Sequence, residues 1–240
     1  MTSSITTDDL YAFVGRNVVG NNLTVEVNNS MGGTIDTGGN ITLNAGGNLT
    51  VNGSGGLAFT IQNTTGTINN GGNIGLMVGG SISTPGALSL LVENYDFSGN
   101  TPGHIGTGGN ISLTTGGDLS AQSVIALINN RSGGQIDSPV SLSLSVGGAL
   151  TTSGQSTDPF GFPASLSVTI STRFDNASGP ALASSVGGDA TLMISAGSAS
   201  IGGALSTFVS NSGSTLNGNA LLSFGVTHDV VIQGRLTLSF

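Results

Sequence analysis

Gly38-Gly39-Asn40-Ile41-Thr42-Leu43-Asn44-Ala45-Gly46-Gly47-Asn48-Leu49-Thr50-Val51 sets aliphatic side chains two residues apart on either side of a Gly-Gly bend. The pattern returns at 71–82, where Ile74 and Leu76 precede Gly79-Gly80 and Ile82. It returns again at 108–119, where Ile111 and Leu113 precede Gly116-Gly117 and Leu119. A weaker copy, 139–150, carries Leu142, Leu144, Gly147-Gly148 and Leu150. Alternation of this kind is strand periodicity, with successive side chains on opposite faces. Dense glycine and β-branched residues disfavour helix.

Outward from these copies the same grammar runs through the chain. An aliphatic anchor comes first: Ile35, Ile68, Ile105, Ile136, then Leu182 and Leu216. The alternating pair follows, as Ile41/Leu43, Ile74/Leu76, Ile111/Leu113, Leu142/Leu144, Ala190/Leu192 and Ala220/Leu222. After the Gly-Gly bend a further alternating run closes the unit, as in Phe59/Ile61, Leu88/Leu90/Val92, Ile125/Leu127 and Leu166/Val168/Ile170. The second members of the pairs lie 33, 37, 31, 48 and 30 residues apart. A variable period in this range with a constant internal grammar indicates a solenoid. One unit is too short to bury its own apolar face, so units must stack. The expected fold is all-β, a right-handed parallel β-helix with about three short strands per coil and roughly six coils, right-handed because parallel crossovers are. Residues 1–17 read as an irregular or capping segment, and 18–240 as one β-helix domain.

Two recurring residues then have a cause. Glycine supplies positive φ and the absence of Cβ at tight corners, and asparagine is the next most tolerant of positive φ. Asn40, Asn73 and Asn110 recur at one corner, and Asn63, Asn94, Asn129 and Asn211 at strand ends. Stacked Asn amides can hydrogen-bond along a column.

Composition narrows the function classes. The chain of 240 residues carries a net charge of −8, with no lysine and only Arg16, Arg131, Arg173 and Arg235 as cations. That argues against nucleic acid, which requires clustered cations. The 41 glycines lack the every-third spacing of collagen. There is no cysteine, hence no disulfide and no thiolate metal site. The start lacks the basic and apolar regions of a signal peptide. No apolar run approaches the roughly 20 residues that span a bilayer as a helix.

Chemistry is sparse. Asp36 and Asp137 share a register but stand three coils apart, about 14 Å at the stacking distance, beyond the about 5–9.5 Å of paired glycosidase carboxylates. Asp118 aligns with Asn48, Ser81 and Ala149, and Asp189 with Asn40, Asn73 and Asn110. Acids thus replace Asn singly at corners. His104 and His228 fall in unrelated registers, and no metal or other cofactor is expected. Insertions on solenoid corners are where binding usually sits. One corner carries Tyr95, Asp96 and Phe97 in loop 94–103, Arg131 in loop 129–134, and Arg173, Phe174 and Asp175 in loop 171–179. Arg131 falls between two acidic loops there. Its alternative role is loop neutralisation with aromatic packing. The other corner carries Phe160 and Phe162 in loop 151–164, for a partner or for packing on the rod.

The motif Gly-Gly-Asn-Ile-x-Leu-x-x-Gly-Gly-Asp/Asn-Leu resembles the repeat regions of filamentous-haemagglutinin-like exoproteins and autotransporter passengers. The resemblance covers 18–155 well and 165–240 loosely. It implies a secreted or surface-anchored bacterial β-helix, often a stalk carrying adhesive elements. The family's amino-terminal secretion domain and a translocator barrel are not in this sequence, so a segment of a longer exported protein is expected. The family repeat supplies no catalytic residue. The functional expectation is a non-catalytic structural or adhesive rod, with the rest of the parent polypeptide as partner at both coil ends. A glycan- or protein-binding module that uses the corner loops to hold a host or neighbouring-cell partner is the alternative. A polysaccharide-active β-helix enzyme is the third.

Overall fold

The computed structural model describes residues 4–30, 32–95, 102–157, 163–173 and 183–240; the side chains of residues 4–8 and of Arg173 lie outside that description. Within it the chain is all-β, without helix, and winds as a parallel β-solenoid of about six turns. Each turn opens with the anchor in a short strand, as in Thr67–Gly71 and His104–Gly108. The alternating pair follows in Ile74–Val78 or Ile111–Thr115, then a strand of two or three residues such as Ile82–Ser83 or Leu119–Ala121. A longer strand closes the turn, as in Ala87–Tyr95 and Ser123–Arg131. The closing strands form one parallel sheet of seven rungs, from Leu23–Ser30 to Leu236–Ser239.

Register is set by the alternation, because a one-residue slip would turn every aliphatic outward. Leu43, Leu76, Leu113 and Leu144 stack as one column. Ile35, Ile68, Ile105 and Ile136 form the anchor column. Their side chains are at most 6% exposed and share one core. Burial depends on the neighbouring turn. In a single column of the closing sheet Leu88, Val124, Leu166 and Leu205 are 0% exposed, whereas Leu236 on the last rung is 53% exposed. That is the behaviour of a repeat whose stability resides in the interface between units.

Four features differ from the sequence reading. Residues 4–14 are not irregular: Ser4–Val14 is a strand in parallel register with Thr34–Ala45 and forms the first rung. The fifth anchor is Val186, paired with Ile136; Leu182 lies outside the described residues. Leu192 pairs with Leu142 and Ile194 with Leu144, so the Leu43 column continues through Ile194 and Phe224 rather than Leu192 and Leu222. A slip of two residues keeps the same side chains facing in, so alternation alone does not detect it. Finally, Asn130 rather than Asn129 stacks on Asn94, with Thr172 and Asn211 above it.

Candidate functional site

The corner between the closing strand and the next anchor is held by a buried amide ladder. Asn29 Nδ2 donates to Asn63 Oδ1, Asn63 Nδ2 to Asn94 Oδ1, and Asn94 Nδ2 to Asn130 Oδ1, each at 2.8 Å. The same amide groups also donate to backbone carbonyls of the anchor strand one turn beyond the one that follows them in the chain. Asn29 reaches Thr67 O at 3.1 Å, Asn63 reaches His104 O at 3.0 Å, Asn94 reaches Gln135 O at 3.0 Å and Asn130 reaches Ser185 O at 2.8 Å. Buried polar groups need such partners, and these amides, at 6% exposure or less, have them. Gly66 and Gly134 complete the corner: a Cβ at Gly66 would stand 2.5 Å from Asn29 Nδ2, and one at Gly134 2.5 Å from Asn130 Oδ1.

One residue beyond this ladder along the strand, the backbones of Thr64, Tyr95, Arg131 and Arg173 stand in register on successive rungs. The Arg131 guanidinium lies over the Tyr95 ring, 4.7 Å from its centroid, within the range of a cation–π contact. Tyr95 is 8% exposed, and its hydroxyl accepts a 2.8 Å bond from Gln62 Nε2. The stack ties three turns together through Gln62, Tyr95 and Arg131. The sequence placed Tyr95 and Arg131 on neighbouring loops, and the structure brings them into contact. Arg173 follows Arg131 in register. Asp96, Phe97, Phe174 and Asp175 lie outside the described residues, as do Phe160 and Phe162 of the other corner loop. The grouping of Arg131 with Asp96 and Asp175 therefore also falls outside the description.

The remaining acids sit as single corner residues. Asp36 accepts from Asn69 Nδ2 at 3.0 Å. Asp118 Oδ1 accepts the Ala149 backbone N–H at 2.8 Å, as Asn48 Oδ1 accepts that of Ser81 at 2.9 Å. Asp189 pairs upward with Asn219, whose N–H it accepts at 2.7 Å; it does not join the Asn40 column. That column ends at Ser141, whose N–H donates to Asn110 Oδ1 at 2.7 Å. His104 Nε2 meets Asp137 Oδ2 at 2.8 Å across adjacent turns, an exposed pair that sequence reasoning missed. The missed signal was that His104 lies one residue before its anchor, Ile105, and Asp137 one residue after Ile136. Among the described residues no three of His, Cys, Asp and Glu gather where they would hold a metal ion, and no helix is long and apolar enough to cross a membrane.

The arrangement is thus a stapled rod with two kinds of corner insertion, and its described ionisable side chains are spread along the rod rather than converged. Comparison of the chain with protein-family models, with curated proteins and with solved structures finds no match.

Proposed function

We propose that the chain is a structural or adhesive rod segment of a large secreted or surface-anchored bacterial exoprotein, without a catalytic role. One observation carries the reading. The core columns run from rung to rung without a break, Leu43, Leu76, Leu113 and Leu144 in one and Ile35, Ile68, Ile105 and Ile136 in another. A stack of this kind extends by adding like turns, and length, not a site, is what it supplies. The reading is tested on intact producing cells, with an antibody raised against this chain. Labelling of unpermeabilised cells, removed by added protease, supports it. Labelling confined to lysed cells overturns it.

The Tyr95–Arg131 stack favours a second reading, in which the corner insertions hold a glycan or protein of a host or neighbouring cell. Tyrosine and arginine are the side chains such interfaces use, and here a guanidinium is stacked on a tyrosine beside a corner insertion. Replacing Arg131 by Ala then lowers cell adhesion while the β-rich circular dichroism spectrum persists; unchanged adhesion excludes this corner as the binding surface.

A further inference from the structure

The uniform stack is interrupted in the turn opened by Ile136, where a loop leaves the rod before the closing strand Leu166–Arg173. Ser156–Thr157 and Pro163–Ala164 pair there as an antiparallel hairpin stem. Pro163 of the stem and the preceding Gln155 line a cleft together with Ser206, Phe208 and Thr237 of the last two rungs of the closing sheet. The cleft has a volume of about 500 Å³, and Ala204 and Arg235 are also among its lining residues. That volume falls in the ligand-pocket range of about 300–1,000 Å³.

Two features make the cleft a built one. A Cβ at Gly203 would stand 2.6 Å from Gln155 Nε2, and one at Gly234 2.6 Å from Gly203 C. Glycine at Gly203 lets Gln155 lie against the backbone and line the cleft. Arg235 lines it too. In a chain of net charge −8 with four cations, no carboxylate among the described residues lies within salt-bridge distance of it. Pro163, Ala204, Leu205 and Phe208 give the lining its apolar part, and Gln155, Ser206 and Thr237 are uncharged. A guanidinium at the mouth of an apolar cleft matches a ligand with one acid group and an apolar body, because the planar fork pairs with carboxylate oxygens two at a time.

We propose that this cleft binds a small apolar carboxylate, an acyl or aryl acid, with its acid group on Arg235 and its body over Phe208 and Pro163. The site goes beyond the rod reading: the amide ladders take no part in it, and Arg235 and Thr237 belong to the last rung of the closing sheet. Isothermal titration of the 240-residue chain with octanoate and with 4-phenylbutyrate, each against its primary amide, is the test. Both acids bind saturably at one site, and each amide binds at least about tenfold more weakly. In Arg235→Gln that preference disappears, in Arg235→Lys part of it remains, and in Phe208→Ser acid and amide weaken together. Circular dichroism and the unfolding midpoint confirm that each variant keeps the fold. Equal affinity for acid and amide, the absence of saturable binding, or a preference that survives Arg235→Gln overturns the proposal.

Discussion

Gly38-Gly39-Asn40 and Gly46-Gly47-Asn48 are the same tripeptide at two bends of one turn, yet the bends need it for different reasons. At the first, Gly38 and Gly39 have φ of 114° and 67°, and Gly71, Gly72, Gly108 and Gly109 repeat this. At the second, no glycine has positive φ. What it lacks there is space: a Cβ at Gly46 would stand 2.6 Å from the Gly15 carbonyl oxygen, and one at Gly79 2.5 Å from that of Gly46. One bend is a conformational requirement and the other a stacking requirement. The asparagines differ in the same way. Asn73 donates both its N–H and its Nδ2 to Asn40 Oδ1, each at 2.9 Å, so a side chain that accepts and donates is needed. Asn48 only has to accept the Ser81 N–H, and an acceptor of another type suffices in the turns above, where Ser81 and Asp118 take its place.

Gly71 joins both requirements, so Gly71→Ala is the largest expected effect. Its φ is 141°, and a Cβ would overlap the Gly38 carbonyl oxygen. A loss of about 4 kcal/mol or more is expected in chemical denaturation followed by circular dichroism. A loss below about 1 kcal/mol would mean that this bend relaxes freely. Asn63→Ala comes next and tests the third bend, where neither φ nor a glycine is the main device. It orphans the Asn29 amide, the Asn94 oxygen and the His104 carbonyl, at about 1 kcal/mol for each group, so about 3 kcal/mol in all. Asn73→Ala, on the half-exposed ladder, costs about 1 kcal/mol. Equal losses would show that burial of the ladder contributes nothing.

The pair Gly72 and Gly79 separates conformation from space directly. A Cβ at Gly72 meets nothing nearer than Ile68 Cδ1 at 3.4 Å, but φ is 71°. Gly72→Ala therefore costs about 1–2 kcal/mol, and Gly72→Asn costs less, since Asn tolerates this region. At Gly79 the order reverses. Gly79→Ala costs about 2 kcal/mol, as overpacking does, and Gly79→Asn at least as much, because a larger side chain meets the same carbonyl. If Asn is milder than Ala at both positions, the distinction between the bends fails.

Much of this was legible in the sequence. The Leu43–Leu76–Leu113–Leu144 column follows from alternation and the Gly-Gly spacing alone. So does the shared register of Asp36 with Asp137, and the role of Asp118 as a substitute for Asn48. The register of the fifth and sixth turns was not legible. The two insertions around 158–162 and 174–182 break the count, and a slip of two residues leaves the inside-outside pattern intact. Nor was the choice between Asn129 and Asn130, since adjacent asparagines offer no pattern and only stacking on Asn94 decides. The two meanings of Gly-Gly-Asn were equally hidden, because clearance to the turn below is not a property of the tripeptide. The corner site was half legible: loop order placed Tyr95 beside Arg131, whereas the Gln62 bond and the cleft at Arg235 arise from neighbours one turn away.

Gly75 gives the smallest effect and the cleanest control. It lies within Ile74–Val78, its φ is ordinary, and a Cβ there would meet nothing nearer than Thr42 Oγ1 at 3.7 Å. Its register neighbours are Thr42 and Ser112. Neither meaning of glycine applies, so replacement should help by restricting the unfolded chain and favouring the extended strand. Gly75→Thr is expected to stabilise by about 0.5–1 kcal/mol, read as a higher denaturant midpoint at unchanged slope. Together with Gly72→Ala, only three residues away, it bounds the claim that glycine in this fold is placed by need. A loss at Gly75 comparable to that at Gly72 would mean that the outer face, and not the bend, sets the tolerance of the turn.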